Sequence, residues 1–399
     1  MIGRTAALPL HLTAATLLRV SAEGLATALV LTVQARTGHA ASAGYLQTAM
    51  TLPYVLSGPV VGNLIDRVAR PRRVAVVMAA GYAVATAVLL MVAGRSPLVL
   101  ALCVAAVIGC TEPVVVALTS LLPRFVEKGR LSRAYGLEAS SYNLAAIAGP
   151  GLAAVLAASL GGQYAGIAIV CAAVAGMFVL PLLPFPGVAS ASGGGGWRTV
   201  ISGGLVVLAE GRVLRALTAA TTLAWLAFGG VAVTAVLLAQ HIGAAPSAGG
   251  KLLVAMAIGS FLGSLASSRW LTPRHAEPVM LGGLVAFGAA LASLAVVPSL
   301  PWAMAAFAAA GVFEGPLFAA TLMLRQRESP PDRLGQVNTT AGSLKIAASA
   351  LGAALTAASA DAVGPVGLVL AIASFQFAGA AVGWFLLRGK PVDFPDDGS

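Results

Sequence analysis

Gly62-Asn63-Leu64-Ile65-Asp66-Arg67-Val68-Ala69-Arg70-Pro71-Arg72-Arg73 joins two apolar runs, at about 41–65 and 73–94. Gly58 and Gly62 lie four residues apart, so one face of the helix read into the first run lacks side chains there. A neighbouring helix can approach that face closely. Asp66 then sets a carboxylate at the end of the run, and four arginines follow it by residue 73. An acid and clustered arginines between long apolar runs mark a chain leaving lipid for water.

The rest of the chain agrees. Of its 399 residues 58% are hydrophobic and 10% charged. The mean hydropathy is +0.91. Soluble proteins carry about 25% charged residues, so a soluble fold is excluded. So apolar a chain does not stay solvated as a disordered one either. Apolar runs fall at about 8–33, 41–65, 73–94, 97–122, 134–160, 163–186, 213–240, 249–271, 277–297, 301–324, 335–360 and 364–387. Each is near the 20 or so residues that a bilayer crossing needs, so the reading is twelve transmembrane helices in an all-α integral membrane protein. Gly187 to Gly196, GVASASGGGG, is the low-complexity stretch of the chain and reads as a linker. It predicts a six-helix bundle over 1–186, a linker over 187–211, a second six-helix bundle over 212–390 and a tail over 391–399.

The net charge of +10 is not spread as a nucleic-acid surface would be. With both termini on one side, 19 of the 24 Lys and Arg, Arg325 among them, fall on that side. Arg36, Arg95 and Lys251 fall opposite, and Arg19 and Lys345 within spans. The positive-inside rule then places both termini in the cytoplasm and the protein in the plasma (inner) membrane. The halves also echo each other. Gly58-xxx-Gly62-Asn63-Leu64 matches Gly259-xxx-Gly263-Ser264-Leu265, Gly109-xx-Glu112 matches Gly311-xx-Glu314, and Arg130-Leu131 matches Arg333-Leu334. Three matches in order point to a duplicated unit.

The loop at Gly62–Arg73 closely resembles the signature of the major facilitator superfamily, G-x-L-a-D-r-x-G-r-[kr], with Ala69 and Pro71 as departures. The resemblance covers the whole chain. It implies two pseudo-symmetric six-helix bundles, with spans 1, 4, 7 and 10 lining a central cavity. It also implies a gating loop of Gly62, Asp66, Arg67 and Arg70, with Asp66 facing the start of the eleventh span near Gly335. Gly149-Pro150-Gly151 on the fifth span resembles a motif of exporters in this superfamily. A proline kink with small-residue packing is the plainer reading of those residues.

Ionisable groups within spans are candidates for function. Arg19 and Glu23 share a face of the first span, being four residues apart. Glu112 and Glu314 are deep and repeat-related, and Lys345 lies inside the eleventh span. Glu138 sits near the cytoplasmic end of the fifth span, where an interfacial place and a cavity place are both open. Trp225 lies mid-span, and Trp197 and Trp270 read as interfacial anchors. Cys103, Cys110 and Cys171 lie in apolar runs and read as packing residues. No cofactor or metal site is read, and the four histidines are scattered.

Deep acids outnumber deep bases by one, and the surplus carboxyl is what a proton-coupled carrier needs. Glu112 stands first for that role, because Pro113 after it frees a backbone carbonyl one turn earlier and makes the site polar. The reading is a monomeric secondary transporter that exports a small amphipathic or drug-like molecule against protons. Cavity spans rich in Ala, Val, Leu and Thr favour this over the alternative, uptake of a sugar or organic anion. A non-transporting sensor ranks below both. No Walker loop, H-E-x-x-H or G-x-S-x-G supports an enzyme.

Overall fold

The computed structural model describes residues 4–37, 41–68, 70–183, 197–245 and 247–388. Among them every regular element is helical. The helices are α1 (Arg4–Thr37), α2 (Ala41–Arg67), α3 (Pro71–Val92), α4 (Leu98–Phe125), α5 (Leu131–Ser159) and α6 (Gly162–Val179). After them come α7 (Trp197–Glu210), α8 (Arg212–Phe228), α9 (Val231–His241), α10 (Ala248–Trp270), α11 (Ala276–Ala292), α12 (Leu300–Glu328) and α13 (Leu334–Arg388). Residues 187–196 of the expected linker and the tail 391–399 lie outside the described residues. The rest of that linker segment folds as α7.

Among the described residues nine helices are long and apolar enough to cross a membrane, or ten with α8 and α9 taken as one bent span. The sequence reading of twelve differs from that number at two places. α2 is not among the nine; its 27 residues include Pro53, Pro59, Gln47, Asn63, Asp66 and Arg67. α13 is counted once although its 55 residues hold two expected spans. Its backbone turns at Gly364, where φ is +68°, and Pro365 follows. Only glycine takes that φ readily, and proline restarts a helix well. α8 and α9 meet at 43° across Gly229-Gly230.

Local chemistry explains other boundaries. Pro71, a departure from the family pattern, is the first residue of α3, where a missing N–H costs nothing. Within α4 the regular helix stops at Thr111 and resumes at Val114, across Glu112 and Pro113. The carbonyl that Pro113 leaves without a donor is that of Gly109. It accepts a hydrogen bond from Ser57 Oγ of α2 at 3.1 Å. The polar backbone expected there is therefore filled by a side chain rather than left for water.

Two cores belong to one half each. One joins α1 to α6, and the other joins α9 to α13. A third mixes the halves: Leu122, Tyr135 and Ala139 pack with Leu217, Met280, Leu317 and Leu322. It lies toward the end where the α2–α3, α4–α5 and α12–α13 turns gather, here called the basic end. The halves are thus sealed together at that end. At the far end, Arg36 Nη1 binds the carbonyls of Leu90 at 2.7 Å and Ala93 at 2.6 Å, within the first half.

Two seams join the halves, α2 against α13 and α5 against α10. A Cβ on Gly62 would meet the Gly335 carbonyl carbon at 2.6 Å, so the α2–α13 backbones nearly touch. Gly259 and Gly263, their sequence partners in the repeat, instead face Ala308 and Val312 of α12 in their own half. Ser264 and Ser268 of α10 meet the other half, the latter against Gly136. The motif repeats in sequence, but its contacts do not. The three cysteines are exposed on the outer surface and free, not packed inside as the sequence suggested.

Candidate substrate cavity and gating latch

The candidate latch sits at the basic end. α13 begins with N–H groups that have no partner in their own helix. Asp66, 3% exposed at the end of α2, supplies one. Its Oδ1 accepts from Gly335 N at 3.0 Å and its Oδ2 from Gln336 N at 2.8 Å. A carboxylate at a helix N-terminus also meets the positive end of the helix dipole. Arg124 Nη2 of α4 stands 3.7 Å from Oδ1.

Gln336, which sequence reasoning did not single out, is fully buried beside Asp66. Its Nε2 donates to Val200 O of α7 at 2.7 Å, and its Oε1 accepts from Asn63 at 3.3 Å. One amide thus ties α2, α7 and α13 together. Nothing in the local sequence marks it, because its partners lie 136 and 273 residues away. Arg70, by contrast, is exposed and precedes α3.

The second constellation is a buried ion pair between α1 and α5. Arg19 Nη2 lies 2.5 Å from Glu138 Oε1, and Arg19 Nη1 bonds Ser141 Oγ. His11 Nε2 donates to Glu138 Oε2 at 3.1 Å, and Thr119 Oγ1 to Oε1 at 2.8 Å. The guanidinium carbon sits 3.5 Å from the centre of the Tyr142 ring. Glu138 is therefore wholly buried rather than interfacial. His11, read as one of four scattered histidines, is its second partner. Two turns of α1 separate His11 from Arg19, and only the packing of α5 brings them to one carboxylate.

Between the bundles lies a cavity of about 370 Å³. The first half lines it with Arg19, Glu23, Tyr54, Glu112, Tyr142 and Asn143, and the second with Trp225, Glu314, Phe318, Arg325, Asn338 and Lys345. The fold brings all five deep charges singled out in the sequence here. Glu138 does not line the cavity. Neither Glu23 nor Glu112 has an ion-pair partner within 4 Å among the described residues. Lys345 Nζ lies 3.9 Å from the Trp225 ring centre and 4.9 Å from that of Phe318.

Two expectations change. Arg325, counted from sequence among the basic residues outside the membrane, is 4% exposed and lines the cavity. It lies one turn before the end of α12, too close to the apolar edge for a run-length reading to place it. The lining is also richer in charges, phenols and amides than the Ala, Val, Leu and Thr of the cavity spans suggested. Gly149 packs its backbone on Gly24 of α1, where an added Cβ would meet Gly24 N and Val20 O at 2.6 Å each. Pro150 follows inside α5. The close approach is the small-residue contact that its composition predicted.

Paired helical bundles around a shared polar cavity, sealed at one end, define a membrane transporter. The profile of the Major Facilitator Superfamily matches residues 12–230 and 217–398, and the chain belongs to that family. It is 30% identical to the uncharacterized MFS-type transporter y4rN of Sinorhizobium fredii over 352 residues, 86% of each chain. It is 27% identical to the multidrug efflux pump Tap of Mycolicibacterium fortuitum over 372 residues, covering 89% of this chain and 90% of the pump. The fold is similar to that of the human organic anion transporter MFSD10 (TETRAN), with a TM-score of 0.81 at 17% identity. That likeness covers 97% of this chain and 100% of the human one.

Proposed function

We propose that this transporter is a proton-coupled carrier that exports a small amphipathic molecule by alternating access, from a plasma membrane with both termini in the cytoplasm. One observation carries the reading. The cavity holds Glu23 and Glu112 without ion-pair partners among the described residues, while Arg19 on the same wall is committed to Glu138. A carboxyl in such a place can bind and release a proton as the cavity changes sides. Glu112 stands first, because it interrupts α4 about 20 Å from that helix's basic end at 1.5 Å per residue. Its depth suits access from either side.

The latch gives the second moving part. Asp66 holds α2 to α13 only while the basic end is shut. Export then consists of opening that end to load substrate, and closing it to release substrate and take up a proton. Glu138, buried with Arg19 and His11, fixes α1 to α5 and stays out of the proton path. Similarity to a multidrug efflux pump favours export. Uptake of a sugar or organic anion remains the second reading, favoured by the Tyr54, Tyr142, Asn143 and Asn338 groups in the lining.

Purified protein in liposomes under an imposed pH gradient tests the proposal. Glu112→Gln, a mimic of the permanently protonated acid, is expected to abolish uphill transport and keep downhill exchange. A variant that still concentrates substrate removes Glu112 from the mechanism. Cysteines placed at Arg36 and Arg95 are expected to react with impermeant reagents from outside cells, and one at Arg72 is not. The opposite pattern inverts the topology.

A further inference from the structure

Arg124 and Arg325 each lie near the basic end of the fourth helix of their half, one residue apart in the repeat that pairs Glu112 with Glu314, and their surroundings differ. Arg124 finds Asp66 at 3.7 Å on α2. The corresponding helix of the second half, α10, contains no acidic residue at all. Its last turns carry Ser264, Ser267 and Ser268, whose hydroxyls bond carbonyls of their own helix. Arg325 is left 4% exposed, with no carboxylate within 4 Å among the described residues and no hydrogen bond to its Nε. A buried guanidinium without a counter-charge is costly, so a site built around one is complete only when an anion occupies it.

The surroundings of Arg325 point the same way. Glu314, Phe318 and Arg325 fall on one face of α12, because steps of four and eleven residues return to nearly the same angle at 3.6 residues per turn. Lys345, three turns into α13, projects over Trp225 and Phe318 and makes no ion pair within 4 Å among the described residues. Glu314 offsets one of the two cations, which leaves this wall net positive. The opposite wall carries Glu23 and Glu112. At the floor, Asn338 is 3% exposed and its Oδ1 has no partner. The cavity is therefore polarised across the two bundles, with Arg325 and Lys345 against one acid on one side, and Glu23 and Glu112 on the other, where Arg19 is paired with Glu138.

We infer that Arg325 and Lys345 form a subsite for the anionic group, a carboxylate or sulfonate, of a substrate whose aromatic body lies against Trp225 and Phe318. A guanidinium offers such groups two parallel N–H donors, which an ammonium does not. When ionised, Glu23 and Glu112 repel the same group from the first half and so favour one direction of the substrate in the cavity. Asn338 Oδ1 accepts from a donor beside the anion. The inference rests on the transporter reading, but not on proton coupling or on the direction of transport.

Calorimetry on the purified full chain in detergent, with no gradient, tests it. The probes are 4-phenylbenzoate, its neutral amide 4-phenylbenzamide, and the cation 4-phenylbenzylamine. The carboxylate is expected to bind at least tenfold more tightly than either analogue. Arg325→Gln and Lys345→Gln are each expected to weaken the carboxylate tenfold or more and leave the amide unchanged. Arg325→Lys is expected to recover part of the loss. Lys345→Gln, on a less buried position, carries the test if Arg325→Gln fails to fold. Equal binding of the three probes, no binding of the carboxylate, or losses that also affect the amide overturn the subsite. Anion binding without gradient-driven transport leaves the subsite standing and overturns proton coupling. Gradient-driven transport that ignores probe charge does the reverse.

Discussion

The two seams that close the basic end are built from different chemistry. Along α2 and α13 the backbones approach at Gly62 and Gly335, and a buried carboxylate caps the start of α13. Along α5 and α10 the contact is Gly136 against Ser268, with neutral bonds from Ser264 to Ser140 at 3.1 Å and from Asn143 to Ser264 at 3.3 Å. α5 begins at Leu131 with no side-chain cap. Hydrogen bonds to a charged group contribute about 1.5–3 kcal/mol each, neutral ones about 1. On the proposed cycle the first seam then acts as a charge-dependent catch and the second as a packing hinge. On that cycle, a duplicated fold with one catch of this kind is expected to open asymmetrically, with α2 parting from α13 while α5 and α10 roll.

Three substitutions probe that difference, in falling order of effect. Gly62→Val puts a branched side chain where even a Cβ meets Gly335 backbone. Transport is expected to fall at least 100-fold, with normal membrane insertion. Wild-type turnover in this variant would mean that the α2–α13 contact does not recur in the working cycle.

Asp66→Asn keeps the size of the catch but loses its charge and one of its two acceptor oxygens. The loss of about 2 kcal/mol corresponds to a roughly 30-fold shift of the closed-to-open ratio at the basic end. It is read from faster labelling of a cysteine at Ser132 from that side, and from slower turnover. Labelling at the wild-type rate sinks the catch. Ser140→Ala removes one neutral bond from the other seam. A change of fivefold or less in the same labelling rate is expected, since loss of a neutral bond costs about 1 kcal/mol. If this variant opens the basic end as readily as Asp66→Asn, the seams are energetically alike and the contrast between them is wrong.

Particular residues show how far the sequence can be read. Asp66 and Gly62 were legible because a charge at the end of an apolar run and a four-residue glycine spacing are local patterns. Glu112, Glu314, Lys345 and Arg19 were legible as charges too deep to be incidental. Arg325 was not, since a run-length reading sets the membrane edge within a few residues and Arg325 lies inside that margin. Gln336 and His11 were invisible for another reason. An ordinary amide and an ordinary imidazole become nodes only through partners on other helices.

Composition and apolar run lengths alone determined that this chain is helical and lives in a bilayer, because lipid leaves an apolar chain few other ways to satisfy its backbone. The expected 6+6 division and the expected gating loop also rest on linear signals, low complexity in one stretch and a short motif in the other. The tertiary structure decided which charges answer one another. Arg19 pairs with Glu138 rather than Glu23, Arg124 with Asp66, and Arg325 with nothing described. It also decided that Gly58 and Gly62 face the other half while Gly259 and Gly263 face their own. Pairing of this kind depends on helix rotation and crossing, which are set by packing among all neighbours at once, and no local stretch of residues encodes it.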